Sequence, residues 1–86
     1  MHVSIDECEA AGLDPDVVER IAKRLSKAAL EADELGLTIF GGTGDGSLRF
    51  RERGSDHCLI VASLNGTFDG GDGGTAPDEN GLLRGE

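Results

Sequence analysis

The chain predicts an α+β fold: a short helix, a long amphipathic helix, then an antiparallel meander of three to four strands packed on the long helix, with a disordered C-terminal tail. Three observations carry this. Apolar residues between positions 15 and 35 recur at helical spacing. From Leu37 to Leu64 the period switches to two, punctuated by Gly-rich turns. From Asn65 onward the chain reads NGTFDGGDGGTAPDENGLLRGE, where only Phe68, Leu82 and Leu83 offer much apolar area. The expected organisation is one domain over 1–68 and an acidic, Gly-rich flexible tail over 69–86.

The first helix is expected at Ile5 to Ala11. Ser4-Ile5-Asp6-Glu7 has capping-box form, and Gly12 stands where a left-handed C-terminal cap wants it. Asp14 then caps a second helix whose first residue is Pro15, a position that needs no N–H. Its stripe is Val18, Ile21, Leu25, Ala28, Ala32 and Leu35, and Gly36 ends it. The C-terminal half of that stripe is mostly Ala, so a neighbouring backbone can come close. The stripe therefore has two uses: covering the protein's own sheet, or forming a homodimer seam through Val18, Ile21, Leu25, Ala28 and Ala32. Leu30 lies opposite it, as a lone surface leucine or a partner anchor.

Leu37 to Phe40 is the first expected strand and Gly41 to Gly46 the first turn. Ser47 to Arg53 is the second strand, with Leu48 and Phe50 on one face and Arg49, Arg51 and Arg53 on the other. His57 to Leu64 is almost wholly apolar, which predicts a strand that is central or covered on both faces. Asn65-Gly66 signals a hairpin, with Thr67-Phe68 as the stub of a fourth strand.

Charge bounds the function. The chain carries 17 acids and 8 bases, a net −9. Such a surface repels phosphates, so neither direct nucleic-acid binding nor an anionic membrane is expected, and the partner is expected to be a basic protein. There is no Trp or Tyr and there are three Phe, so the core must be aliphatic. A folded body of about 60 residues hides only ~60% of the surface of its unfolded chain. That marginal core favours self-association or a stabilising partner.

The candidate chemical motifs are weak. GGTGDG follows a strand, but a dinucleotide loop must open a helix and a P-loop needs Lys-Ser/Thr after its glycines. A mobile hairpin loop is the expectation, with a small-ligand loop as the alternative. Asp69, Asp72 and Asp78 lack EF-hand spacing, leaving at most weak calcium binding. His57 and Cys58, with His2 and Cys8, lack paired metal-ligand spacing, and neighbouring strand residues face apart, so His57 cannot readily activate Cys58. No catalytic residue, metal or cofactor is expected. Acids would also lead the second helix of any helix-turn-helix towards phosphate, which argues against that reading. Arg49, Arg51 and Arg53 lack interleaved aromatics for base stacking. On the long helix, Asp16–Arg20, Glu19–Lys23 and Lys27–Glu31 are i,i+4 pairs.

Met1 to Ala10 has neither a cationic nor an apolar leader region, and no run approaches a membrane span. A cytoplasmic protein with reduced Cys8 and Cys58 is expected. In size, acidity and lack of catalytic groups the chain resembles the small inhibitors encoded by phages and mobile elements, anti-CRISPR and anti-restriction proteins among them. That likeness covers no motif. It implies a non-enzymatic interaction module that occupies a basic, nucleic-acid-binding surface of its partner. The candidate contacts are Leu30, Asp33, Glu34, Asp45, Asp56, Asp69 and Asp72. The alternatives are a structural homodimer or assembly subunit, built on the Ala-rich helix face or a sheet edge, and a weak calcium or small-ligand binder.

Overall fold

The computed structural model describes every residue except Thr43, Asp72 and Glu86. The fold is α+β, as expected: two helices, an antiparallel three-stranded sheet, and a small two-stranded sheet. The chain divides into two compact units, Met1–Ala28 with Asp72–Glu86, and Ala29–Gly71. This division runs across the compositional boundary at 68/69.

The first unit opens with α1, Ile5–Ala11. Ser4 is its N-cap, but the hydroxyl bonds Oε1 of Glu7 at 2.7 Å instead of a backbone N–H. At the other end Gly12 takes φ 75°. The Gly12 N–H donates to Glu9 O and the Leu13 N–H to Cys8 O, the two bonds of a Schellman cap. A residue with a Cβ would adopt that left-handed φ at a cost.

The long helix α2, Pro15–Glu34, starts on Asp14, whose Oδ1 accepts the N–H of Asp16 at 2.9 Å. Gly36, at φ 75°, follows its end. Of the three i,i+4 ion pairs read from the sequence only Glu19–Lys23 forms, at 3.3 Å. Asp16–Arg20 and Lys27–Glu31 do not form.

The second unit holds the last part of α2, from Ala29, and the strands β1 (Leu37–Phe40), β2 (Gly46–Arg51) and β3 (Cys58–Leu64). Their order is β1-β2-β3. The registers Leu37↔Phe50 and Ile39↔Leu48, then Phe50↔Leu59, Leu48↔Ala62 and Gly46↔Leu64, place those apolar residues on one face. Thr38, Phe40, Ser47, Arg49, Arg51, Cys58, Ile60 and Ser63 share the other. Between Leu48 and Arg49 the partner jumps from Ala62 to Ile60, so Val61 is the extra residue of a β-bulge.

Two expectations fail here. β3 is an edge strand, not a central or doubly covered one. Its near-continuous apolar character misled, because strand order depends on connections that a local pattern does not encode. And Asn65-Gly66 does not close a hairpin, since no strand follows at Thr67-Phe68. Phe68 is used otherwise. Its N–H donates to Gly44 O at 3.4 Å, and its ring lies against Gly41 and Gly46: a β-carbon at Gly41 would stand 2.9 Å from Cβ of Phe68, and one at Gly46 would overlap the ring. The bare glycines are the seat of that ring.

Within 69–86, read as a flexible tail, the structure places a hairpin of β4 (Thr75–Pro77) and β5 (Leu83–Gly85). Asp78 clamps its connection. Its carboxylate accepts from the N–H groups of Asn80 (2.9 Å) and Leu82 (3.0 Å) and from Nε of Arg84 (2.7 Å).

Two predictions follow from these local devices. Gly46→Ala should destabilise the sheet unit by about 1–3 kcal/mol through displacement of the Phe68 ring, and urea titration should show a smaller cost for the same change in a Phe68→Ala background. The second concerns pH. The bond from Arg84 is the main cause that holds the Asp78 carboxyl below its ordinary value; burial opposes it, and the bonds from Leu82 and Asn80 and the charge of Arg84 add smaller lowering effects. A depressed folded-state pKa stabilises the hairpin above the ordinary carboxylate value, about pH 4. That contribution is lost as pH falls through the lower folded value. Amide resonances of Asn80 and Leu82 should report this loss on acidification, and Asp78→Asn should abolish the step.

Candidate interaction surface

The chain hides little apolar area from water. Among the described residues the buried apolar ones are Cys8 and Ala32, each 7% exposed, and no side chain is fully buried. Large apolar residues lie at the surface instead, along much of the chain, and two groups of them share one element each.

The first is β3. Leu59, Ile60 and Val61 are 49%, 61% and 51% exposed. Leu59 and Ile60 point to opposite faces, as alternate strand residues do, so the strand is uncovered on both sides. Its outer edge has no paired strand among the described residues. From Cys58 to Leu64 it carries no charge and no proline. Natural edges are usually blunted by lysine, proline or an inward charge; the one such device here is the bulge at Val61. An edge of this composition offers backbone N–H and C=O groups together with apolar side chains, which is what an added strand requires.

Acids stand around it. Asp56 precedes β3, Asp45 precedes Gly46, which pairs with Leu64 at the strand's far end, and Asp69 follows Phe68. All three are exposed. Asp33 and Glu34, at the end of α2, are exposed as well, as is Leu30, at 64%. None of these five acids forms an ion pair among the described residues; the pairs present are Lys23–Glu19 and Arg84–Asp78. The six described candidate contacts therefore all lie in the sheet unit and reach solvent. Asp72 lies outside the described residues.

The arginine row is not the free basic face that the sequence pattern allowed. The Arg49 guanidinium sits 3.9 Å over the ring of Phe40, and its Nε donates to Ser47 Oγ at 3.0 Å. Ser47 is buried, so Arg49 is held to the sheet. Arg51 Nη1 donates to Ser55 O at 3.3 Å, spanning the β2–β3 turn. Arg53 falls beyond β2, in that turn. The sequence signal for the Arg49–Phe40 stack was present: Thr38 pairs with Arg49, which sets Phe40 diagonal to it on the same face.

The second exposed group lies on α2. Val17, Ile21 and Leu25 are surface residues, with Ile21 49% and Leu25 64% exposed, and Ala28 is exposed beside them. Of the seam residues read from the sequence, Val18 is half-buried and Ala32 is buried. The best-covered side of the helix is Pro15, Val18, Ala22, Ser26, Ala29 and Ala32; Leu25 borders it between Val18 and Ala32, and Ile21 and Ala28 lie further round.

Cys8 and Cys58 are free thiols, the first buried and the second half-buried. His57 is fixed through its backbone, which exchanges hydrogen bonds with Ser55 Oγ at 2.9 and 3.2 Å. No group of three metal-ligating side chains comes together among the described residues, and no described helix is long and apolar enough to cross a membrane. A comparison with known protein families, with curated proteins and with solved structures gives no match to this chain.

Proposed function

We propose that the protein is a non-enzymatic interaction module that takes an extended segment of a partner protein onto the free edge of β3. The observation that carries this reading is the exposure of Leu59, Ile60 and Val61 on an edge strand without charge or proline. An incoming strand would gain ladder hydrogen bonds and cover apolar side chains on both faces. The surrounding acids select its flanks: Asp45, Asp56 and Asp69 favour a segment with an apolar centre and Lys or Arg beside it. Asp33, Glu34 and Leu30 extend the same unit's surface towards the partner. A protein that so occupies a basic, nucleic-acid-binding surface would act as an inhibitor, the role that the resemblance to small phage and mobile-element inhibitors implies. We place it in the cytoplasm, where both free thiols stay reduced.

The test uses the full chain and a displayed library of extended peptides, from which binders are selected and mapped by amide hydrogen exchange. Added protection should concentrate in residues 58–64, and Ile60→Lys should weaken binding at least tenfold, since an edge lysine repels a basic-flanked strand. Raising salt from 50 to 500 mM shortens the screening length from about 14 to about 4 Å and should slow association markedly. Binders that protect another surface, or that ignore both the lysine and the salt, would refute the reading.

A further inference from the structure

We infer that α2 is a self-association surface on which a second copy of this chain docks antiparallel, a contact separate from the β3 edge. The argument begins with the large apolar residues of this helix that water reaches. Ile21 and Leu25 are about half or more exposed, and Ala28 is exposed next to them. In a twenty-residue helix this row needs a cover, and the sequence of the helix describes one.

The stripe Val18, Ile21, Leu25, Ala28, Ala32, Leu35 reads with the same spacing from either end. A two-fold axis between Ser26 and Lys27 therefore sets Leu25 against Ala28 of the second copy and Ile21 towards its Ala32 end. Large side chains meet small ones at each layer. A parallel pair in register would instead set Leu25 on Leu25 and Ala28 on Ala28, alternating crowding with gaps. Because Ala32 is already buried, the contact centres on the Leu25–Ala28 layers, with Ile21 extending it.

Charge selects the same orientation. Arg20, Arg24, Glu31 and Glu34 line one border of the row, bases in its N-terminal half and acids in its C-terminal half. All four are exposed and none has an ion-pair partner among the described residues. The antiparallel arrangement brings Arg24 to Glu31 of the second copy and Arg20 to Glu34, each pair occurring twice. Of the remaining helix cations, Lys23 is engaged by Glu19, and Lys27 lies on the same border beside the two-fold axis, where it is exposed to solvent. Such exposed pairs fix orientation more than they add affinity. A chain of net −9 repels its copies at long range, so a contact that matches base to acid is the arrangement by which two copies can meet.

Sedimentation equilibrium of the full chain at low salt tests this. The wild type should show a reversible monomer–dimer equilibrium at micromolar to submillimolar concentration. Arg24→Glu, and separately Glu31→Arg, should each weaken it about tenfold, with helix content unchanged by circular dichroism. The double variant should recover the wild-type value, and so should an equimolar mixture of the two single variants. Residues 24 and 31 are too far apart along one helix to pair, so recovery reports the intermolecular contact. A monomer at every concentration, or a dimer indifferent to both reversals, would overturn the inference. Ile60→Lys separates the two surfaces: it should leave this dimer intact, and a dimer that it abolishes would belong to β3 and equally count against α2.

Discussion

The fold depends on how little apolar volume the chain commits to its interior. Folding must offset the entropy of every ordered residue, at roughly 1–2 kcal/mol each for the backbone alone, chiefly by hiding apolar area. Here the buried apolar side chains are small ones, Cys8 and Ala32, and the leucines and isoleucines that could contribute most are half exposed. Local devices therefore carry an unusual share of the order. The Schellman cap at Gly12, the Asp14 cap, the seat that Gly41 and Gly46 provide for Phe68, and the Asp78 clamp each fix a few residues with hydrogen bonds or one ring. None of them supplies a core. A partner that covered the exposed rows on β3 and α2 would add the burial the chain lacks, which is why those rows are the candidates proposed above.

What could be read in the chain beforehand was the part governed by near neighbours. Pro15 after Asp14, Gly12 after Ala11 and the 3–4 spacing of α2 act within a few residues, and both helices fall where those signals put them. The same holds for β1 and β2, where period-two alternation meets glycine turns. Strand order was not legible. Leu59-Ile60-Val61 has the composition of a central strand, but no strand follows to cover it, and whether one follows depends on Phe68, which is drawn back to Gly41 and Gly46. The hairpin at Thr75–Gly85 was hidden by composition: DGGDGG and the surrounding acids read as solvated chain, while the determinant is one aspartate spaced to reach Asn80, Leu82 and Arg84 together. Of the candidate contacts, exposure was foreseeable for each acid; that all the described ones belong to one compact unit was not, because Leu30 and Asp69 are far apart in sequence.

The placement of cations explains why the acidity stays available. Arg49 is spent on Phe40 and Ser47, Arg51 on the turn carbonyl of Ser55, Lys23 on Glu19 and Arg84 on Asp78. Those four satisfy local structure. The acids of the sheet unit receive none of them, so Asp33, Glu34, Asp45, Asp56 and Asp69 are exposed without an ion pair among the described residues. Of these, Asp45, Asp56 and Asp69 adjoin the ends of neutral strand β3 in sequence or register. On the proposed reading the two features would act on different quantities: an uncharged apolar edge would govern how long a bound segment stays, and the carboxylates how fast and in which orientation it arrives. In the inferred α2 contact the same division would recur within one helix, with Leu25 and Ala28 as the adhesive part and the Arg20, Arg24, Glu31, Glu34 border as the directing part. A mutation in the adhesive part should therefore alter dissociation, while one in the border should alter orientation and salt dependence, and a surface on which both classes acted alike would not have this construction.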